Sequence, residues 1–147
     1  MINDDISYFV DELGVKFNYR VAGLIQEGNK IFVQKNVDED LYFPLGGRVK
    51  YLEHSDDALI REIKEEIGIE IKHEDLTFLD VIENFFTYKG VKFHELLFVY
   101  KINTPKELLK INNMNSLDKE IEFNTWVDIK ELPNLNLQPQ ELKKYYN

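Results

Sequence analysis

Three glutamates stand at positions 62, 65 and 66 of a 147-residue chain. If the segment is helical, the i, i+3, i+4 spacing puts all three on one side, because a turn takes 3.6 residues. Leu59, Ile60, Ile63 and Ile67 fall on another side and form an apolar stripe. One face anchors the helix to a core and another displays carboxylates. Like charges at these spacings cost roughly 0.2–0.5 kcal/mol per pair. Glu65 and Glu66 also lie in the last turn before Gly68, where the helix dipole favours cations, for about 0.3–1 kcal/mol more each. A hard divalent cation with oxygen ligands removes both penalties. Lys64 points in a third direction and cannot neutralise all three. The arrangement therefore costs stability unless something positive binds, which marks this face as a candidate site. It predicts that Glu65→Lys or Glu66→Lys leaves the metal-free fold as stable or more so. The plain alternative is a solvated acidic face.

The elements around these residues read as follows. Ser55 to Ile67 is a helix, with Ser55 as N-cap, Asp56 and Asp57 in the first turn, and Gly68 as the stop. Phe17 to Ile25 reads as a strand, Glu27-Gly28-Asn29 as a hairpin turn and Lys30 to Gln34 as the returning strand. Leu41 to Leu45 is extended, with Pro44 demoting it to an edge, and Gly46-Gly47 breaks it. Ile69 to Lys72 reads as a brief strand. Leu76 to Tyr88 and Val91 to Ile102 are long β-rich runs about a turn at Lys89-Gly90. Residues 106 to 117 read as a polar loop with a helical piece, Ile121 to Asp128 as a strand, and the chain from Pro139 onward as a short terminal helix. Hairpins with one central and one terminal helix indicate α+β, or a three-layer α/β/α sandwich with a mixed central sheet. The length fits a single domain over residues 1–147, with no internal repeat or linker.

Composition narrows the function. Residues are 44% hydrophobic and 13% aromatic, enough for a core. The net charge of −9 repels DNA and RNA, so no nucleic-acid polymer is expected as partner. A small phosphorylated substrate is repelled too, unless a bound cation reverses the local sign. The absence of cysteine excludes disulfides, thiolate metal sites and a Cys nucleophile. The acidic start Met1-Ile2-Asn3-Asp4-Asp5 is unlike a signal peptide, and no apolar run reaches membrane-spanning length, so a cytoplasmic protein is expected.

The segment Gly47 to Ile69 resembles the Nudix box, G-x5-E-x7-R-E-U-x-E-E-x-G-U with U an aliphatic residue. Gly47, Glu53, Arg61, Glu62, Glu65, Glu66 and Gly68 supply the seven fixed letters, and Ile63 and Ile69 the aliphatic ones. At average residue usage a chance match is below roughly one in a million. Arg20 to Ile25 is similar to the family's first core strand, and Trp126 to Leu132 to its closing strand and turn. Many members read Pro-Gly-Gly before the box; here the order is Pro44-Leu45-Gly46-Gly47, with the proline displaced by one position.

The resemblance implies a Nudix fold whose loop–helix–loop holds Mg²⁺ or Mn²⁺. It implies hydrolysis of the diphosphate linkage of a nucleoside diphosphate joined to another moiety. Glu62 and Glu66 would be metal ligands, Glu65 a third ligand or a water-holding partner, and the Gly46 carbonyl a further oxygen donor. Arg61 would pair with Glu53 to brace the loop, a planar fork meeting a carboxylate at two points. The general base would be Glu62 or Glu65, or an acid from a distant loop: Glu120, Glu122 or Glu95. Glu120 is the first to test, as an extra metal ligand. His54, His73 and His94 show no metal-ligand spacing, though His94 lies near the expected substrate side. Asn84 to Tyr88 and Phe93 are candidates for base stacking, with an ordinary core role the commoner use of such a run.

ADP-ribose and nucleotide-sugar-like compounds are the preferred substrates, with oxidised nucleoside triphosphates as the alternative. From another class, a non-catalytic Nudix-fold nucleotide-binding regulatory module is weakened by the intact Glu53, Glu62, Glu65 and Glu66. A simple acidic metal-binding or interaction protein is weakened by the absence of EF-hand ligand spacing. Oligomeric state stays open, a homodimer included.

Overall fold

Long alternating runs of β-branched and aromatic residues build much of this chain into one split sheet. A computed structural model describes residues 2–117 and 122–147. The strands are β1 (Ser7–Val10), β2 (Val15–Glu27), β3 (Lys30–Asn36), β4 (Tyr42–Phe43), β5 (Leu45–Arg48), β6 (Leu76–Tyr88), β7 (Val91–Ile102), β8 (Asn113–Asn115) and β9 (Glu122–Asp128). The α-helix, α1, spans Ser55–Ile67. The main order is β6-β7-β2-β3-β9-β8, while β1 and β5 add to β2 and β4 adds to β3. The pairings are antiparallel except β2 with β7, which is parallel over Val15–Leu24, so the sheet is mixed as expected.

Alternation along β2 sorts the core into two halves. Val21 and Ile25 face α1, where they meet Leu59, Ile63 and Ile67. Ala22 and Leu24 face the other way, with Leu97 and Val99 of β7, and are covered by Leu132, Leu137, Leu142 and Tyr146 of the C-terminal segment. Burying each such Leu or Ile contributes roughly 1.5–3 kcal/mol. The result is three layers in an α+β fold: α1, the sheet, and the C-terminal segment. The third layer is built from short 3₁₀ turns, Ile129–Asn134 and Gln140–Tyr145, rather than the terminal helix expected from the sequence. Pro133 and Pro139 supply no backbone N–H, which favours such turns over an extended α-helix there.

Three further differences have physical causes. Ser55 is the first residue of α1, not its cap; its hydroxyl hydrogen-bonds the Tyr100 hydroxyl at 2.6 Å, and His54 holds the cap position without a side-chain bond. Ile69 to Lys72 forms no strand: Ile69 and Ile71 alternate into the core beside α1, and the segment is held by that packing together with the Lys64–Glu70 contact at 2.7 Å and the Lys72 N–H donating to Asp75 Oδ2 at 3.1 Å. The ambiguous stretch after residue 105 resolves into a 3₁₀ turn, Lys106–Lys110, and the short strand β8. The helix end at Gly68 stands as read, left-handed at φ 72°.

Candidate active site

The two glycines inside β5, which continue the strand rather than break it, create the site. Gly46 sits at φ 149°, and a Cβ there would lie 1.9 Å from the Val21 carbonyl oxygen on β2. Gly47 leaves room for Glu62: a Cβ on Gly47 would meet the Glu62 carboxyl carbon at 2.2 Å and its oxygens at 2.4 and 2.5 Å. Helix α1 thus lays a carboxylate directly on the β5 backbone, at the one spot where no side chain intervenes. The offset proline is absorbed by Leu45, which is fully buried and starts β5.

Arg61 organises the acids around it. Its Nε donates to Glu53 Oε2 and its Nη2 to Glu53 Oε1, both at 2.9 Å, a two-point fork that ties the loop after β5 to α1. Nη2 also donates to the Arg48 carbonyl at 3.0 Å, and Nη1 donates to Glu62 Oε1 at 3.0 Å and Glu65 Oε1 at 3.3 Å. Glu53 Oε1 further accepts from the Lys50 N–H at 3.0 Å. The Arg61 guanidinium, followed by the Lys50 N–H, holds the Glu53 carboxyl below its ordinary value. In turn the Glu53 carboxylate, with Glu62 behind it, pushes Arg61 upward, so its charge is permanent.

This geometry corrects the picture of three carboxylates displayed to solvent. Glu62 is 9% exposed and Glu66 0% exposed, whereas the Glu65 side chain is 45% exposed. Arg61 also offsets part of the repulsion that the bare spacing implies. A charge-reversing Glu66→Lys therefore places an ammonium in the core, and the expectation that it would leave the fold as stable does not hold for that position.

Glu62, Glu65 and Arg61 border a cleft of about 490 Å³, lined also by Arg20, Gly47, Arg48, Lys50 and residues 2 to 5, while Glu66 lies buried behind it. Arg20, Arg48 and Lys50 were missed in the sequence. Their signal was a cation directly before the apolar run Val21-Ala22, and two cations flanking Val49 straight after the double glycine.

The other candidates are placed as follows. Glu120 lies outside the described residues. Glu122 opens β9 opposite Asn36, and Glu95 is buried in β7. His94 faces away from Glu95, edge-on to Phe85 at 4.6 Å and Phe17 at 5.9 Å, on the β7 face that Phe98 and Tyr100 share. The same alternation divides the run Asn84 to Tyr88. His73 acquires partners that spacing did not foretell: its Nε2 lies 2.6 Å from Asp57 Oδ1 and 3.9 Å from Asp56 Oδ2. Among the described residues these three form the group with donor atoms mutually within 4.8 Å, at the opposite end of α1 from Glu66. The hydrogen bond to Asp57 raises the His73 pKa.

The profile of the NUDIX domain matches residues 16–147. The chain belongs to the Nudix family. Solved Nudix structures share its fold. The MutT protein of Bacillus halodurans superposes with a TM-score of 0.64 at 14% identity, over 84% of this chain and 76% of that one. The dihydroneopterin triphosphate pyrophosphohydrolase of E. coli gives 0.57 at 18% identity, over 86% and 90%. The Ap4A hydrolase of C. elegans gives 0.53 at 19% identity, over 87% and 92%. No curated protein matches the chain in sequence. Among the described residues, no helix is long and apolar enough to cross a membrane.

A divalent cation suits the donors of this Nudix site. Glu62, Glu65, Glu66 and the Gly46 carbonyl offer only hard oxygens. The cradle at Gly47, which a single methyl would fill, keeps the Glu62 carboxylate at the mouth of the cleft.

Proposed function

We propose that the protein hydrolyses the diphosphate linkage of a nucleoside diphosphate joined to a further group, with Mg²⁺ or Mn²⁺ as cofactor. The observation that carries this is the seating of Glu62 against Gly47, inside a cleft whose other lining cations suit phosphate oxygens. Glu62, Glu66 and the Gly46 carbonyl would hold the metal, with Glu65 as further donor. Bound there, divalent ions neutralise phosphate charge and acidify the attacking water.

The chain's own residues divide the remaining work. Arg20 attracts and orients the phosphates against an overall charge of −9, joined by Arg48 and Lys50, which pair with Asp5 at 3.6 Å and Asp4 at 3.5 Å and exchange those partners for phosphate oxygens. Arg61 positions Glu62 and Glu65 while its fork to Glu53 keeps loop and helix in register. Glu65, the most exposed of the three, accepts a proton at a carboxylate oxygen from the water that attacks phosphorus, and the nucleoside monophosphate departs as the oxygen bridge breaks. The substrate class proposed is small nucleotides of the ADP-ribose or nucleotide-sugar type, met in the cytoplasm. Relatives of the same fold act on compounds as different as Ap4A and dihydroneopterin triphosphate, so fold alone does not choose.

The test is release of nucleoside monophosphate or phosphate from a panel of ADP-ribose, nucleotide sugars, nucleoside triphosphates and dinucleoside polyphosphates. Release should require Mg²⁺ or Mn²⁺, stop with EDTA, and fall at least a hundredfold in Glu66→Gln. Metal-dependent binding without turnover of any member would make the protein a binding module instead.

A further inference from the structure

Glu95 is a buried carboxylate that the hydrolytic machinery does not use. It is 7% exposed on β7, directly opposite Asn18 of β2, which is 3% exposed. Asn18 Nδ2 donates to Glu95 Oε2 at 2.9 Å, and Ser7 Oγ hydrogen-bonds Asn18 Oδ1 at 2.7 Å. Among the described residues no other hydrogen bond or ion pair reaches Glu95, and its Oε1 accepts none. Lys16 and Arg20 flank Asn18 on the same face of β2, yet neither forms an ion pair with Glu95. A buried carboxylate with one neutral amide for company is costly to keep unless further donors arrive from elsewhere.

Strand register shows where they would come from. Arg20 lies two residues from Asn18, hence on the same face and about 7 Å along β2, and it lines the cleft that Glu62 and Glu65 border. On the other side of Glu95 the same face carries Phe93 and Phe86, stacked at 4.7 Å between centroids and 4° from parallel. Phe86 is 40% exposed. Tyr88 follows on that face, and its hydroxyl donates to Glu39 Oε1 at 3.2 Å, so the β3–β4 loop reaches across to the tip of β6. One face therefore carries, in order, a cation at the cleft, a buried acceptor pair, and an aromatic platform beside a loop.

We propose that Asn18 and Glu95, which do not line the cleft themselves but adjoin it through Arg20, form a second subsite at its edge, which accepts paired N–H or O–H donors from the neutral part of the substrate beyond its phosphates. A carboxylate only accepts hydrogen bonds and repels phosphate, so the group seated there carries donors and no negative charge. A ribose diol and the N–H edge of a base both offer this chemistry, and the aromatic pair gives a base a surface to stack on. The proposal takes from the hydrolase reading only that phosphates occupy the Arg20 end.

Equilibrium binding tests it without turnover. The full chain, free of metal, is titrated calorimetrically with AMP, GMP, CMP, UMP and inorganic phosphate. At least one monophosphate should bind about tenfold or more tightly than phosphate, and Glu95→Gln should abolish that preference, as expected for loss of a charge-assisted hydrogen bond. On the wild-type chain, the 2′,3′-dideoxy analogue of that nucleotide should lose the preference if the diol is the donor, and the base-N-methylated analogue if the base edge is. This arm decides the matter even where Glu95→Gln does not fold. The subsite is refuted if no monophosphate surpasses phosphate, if Glu95→Gln binds as wild type, or if both analogues bind undiminished. Since no bond is cleaved, this result and the outcome of the hydrolysis panel are separable.

Discussion

Alanine at Gly47 and alanine at Gly46, neighbours in one short strand, should fail in opposite ways. A methyl at Gly47 meets only the end of the Glu62 side chain, at 2.2 Å, whereas ordinary contact begins near 3.4 Å, so the carboxylate must withdraw by about 1 Å. A flexible side chain can do this with little effect on stability beyond its bond to Arg61, about 1 kcal/mol. Catalysis has no such tolerance, since a misplacement of about 1 Å costs on the order of a hundredfold in rate. A methyl at Gly46 meets the Val21 carbonyl at 1.9 Å, a backbone atom held by strand pairing, and adds a φ of 149° that L-residues avoid. Strain and overlap together come to about 3 kcal/mol or more, and for a domain of this size that lowers Tm by roughly 10 °C. Thermal melts without metal, paired with kcat/KM on the best substrate of the panel, separate the two. Gly47→Ala should melt within a few degrees of wild type and lose about two orders of magnitude in kcat/KM; Gly46→Ala should melt far lower. Full activity in Gly47→Ala, or an undisturbed melt in Gly46→Ala, would refute the proposed seating of Glu62 on the β5 backbone.

Glu66→Lys should destabilise the metal-free protein by about 3 kcal/mol or more, because it buries an ammonium, while Glu65→Lys at a half-exposed site should change stability by no more than about 1 kcal/mol; urea titration distinguishes them. Arg61→Lys keeps the charge but loses the fork to Glu53, and should cost about 1–3 kcal/mol by the same measurement, with little recovery from added salt. The pH dependence follows from Glu53. Its carboxyl is lowered from 4.5 in the folded chain, so its contribution is fully present above that value and disappears as pH falls through the depressed one. Melts of wild type and Glu53→Gln from pH 7 downward should converge in acid, and a gap that widens on acidification would count against the pairing.

Much of the site could be read from spacing because helical periodicity and metal chemistry both act over a few residues. Glu62, Glu65, Glu66, the Arg61–Glu53 brace and the stop at Gly68 all belong to one local segment. Burial was not legible in the same way. Whether Glu66 faces solvent depends on β5 and the chain near Leu117, whose N–H reaches the Glu66 carbonyl at 2.9 Å, and no helical wheel contains those contacts. The strands of the fold were visible in their alternation, but their neighbours were not. The parallel pairing of β2 with β7, which sets Asn18 against Glu95 and turns His94 away, is fixed by closure of the whole sheet. The terminal helix was misjudged because proline spacing and amphipathicity suit a 3₁₀ turn as well as an α-helical one.

That parallel pairing also bears on how the chain assembles. The hairpins β2–β3 and β6–β7 join residues close in sequence and can form early, whereas Asn18 and Glu95 are 77 residues apart and must wait for a long loop to close around α1. Nucleotide binding then rewards only the completed chain, and ligand should slow unfolding without speeding the search that precedes it.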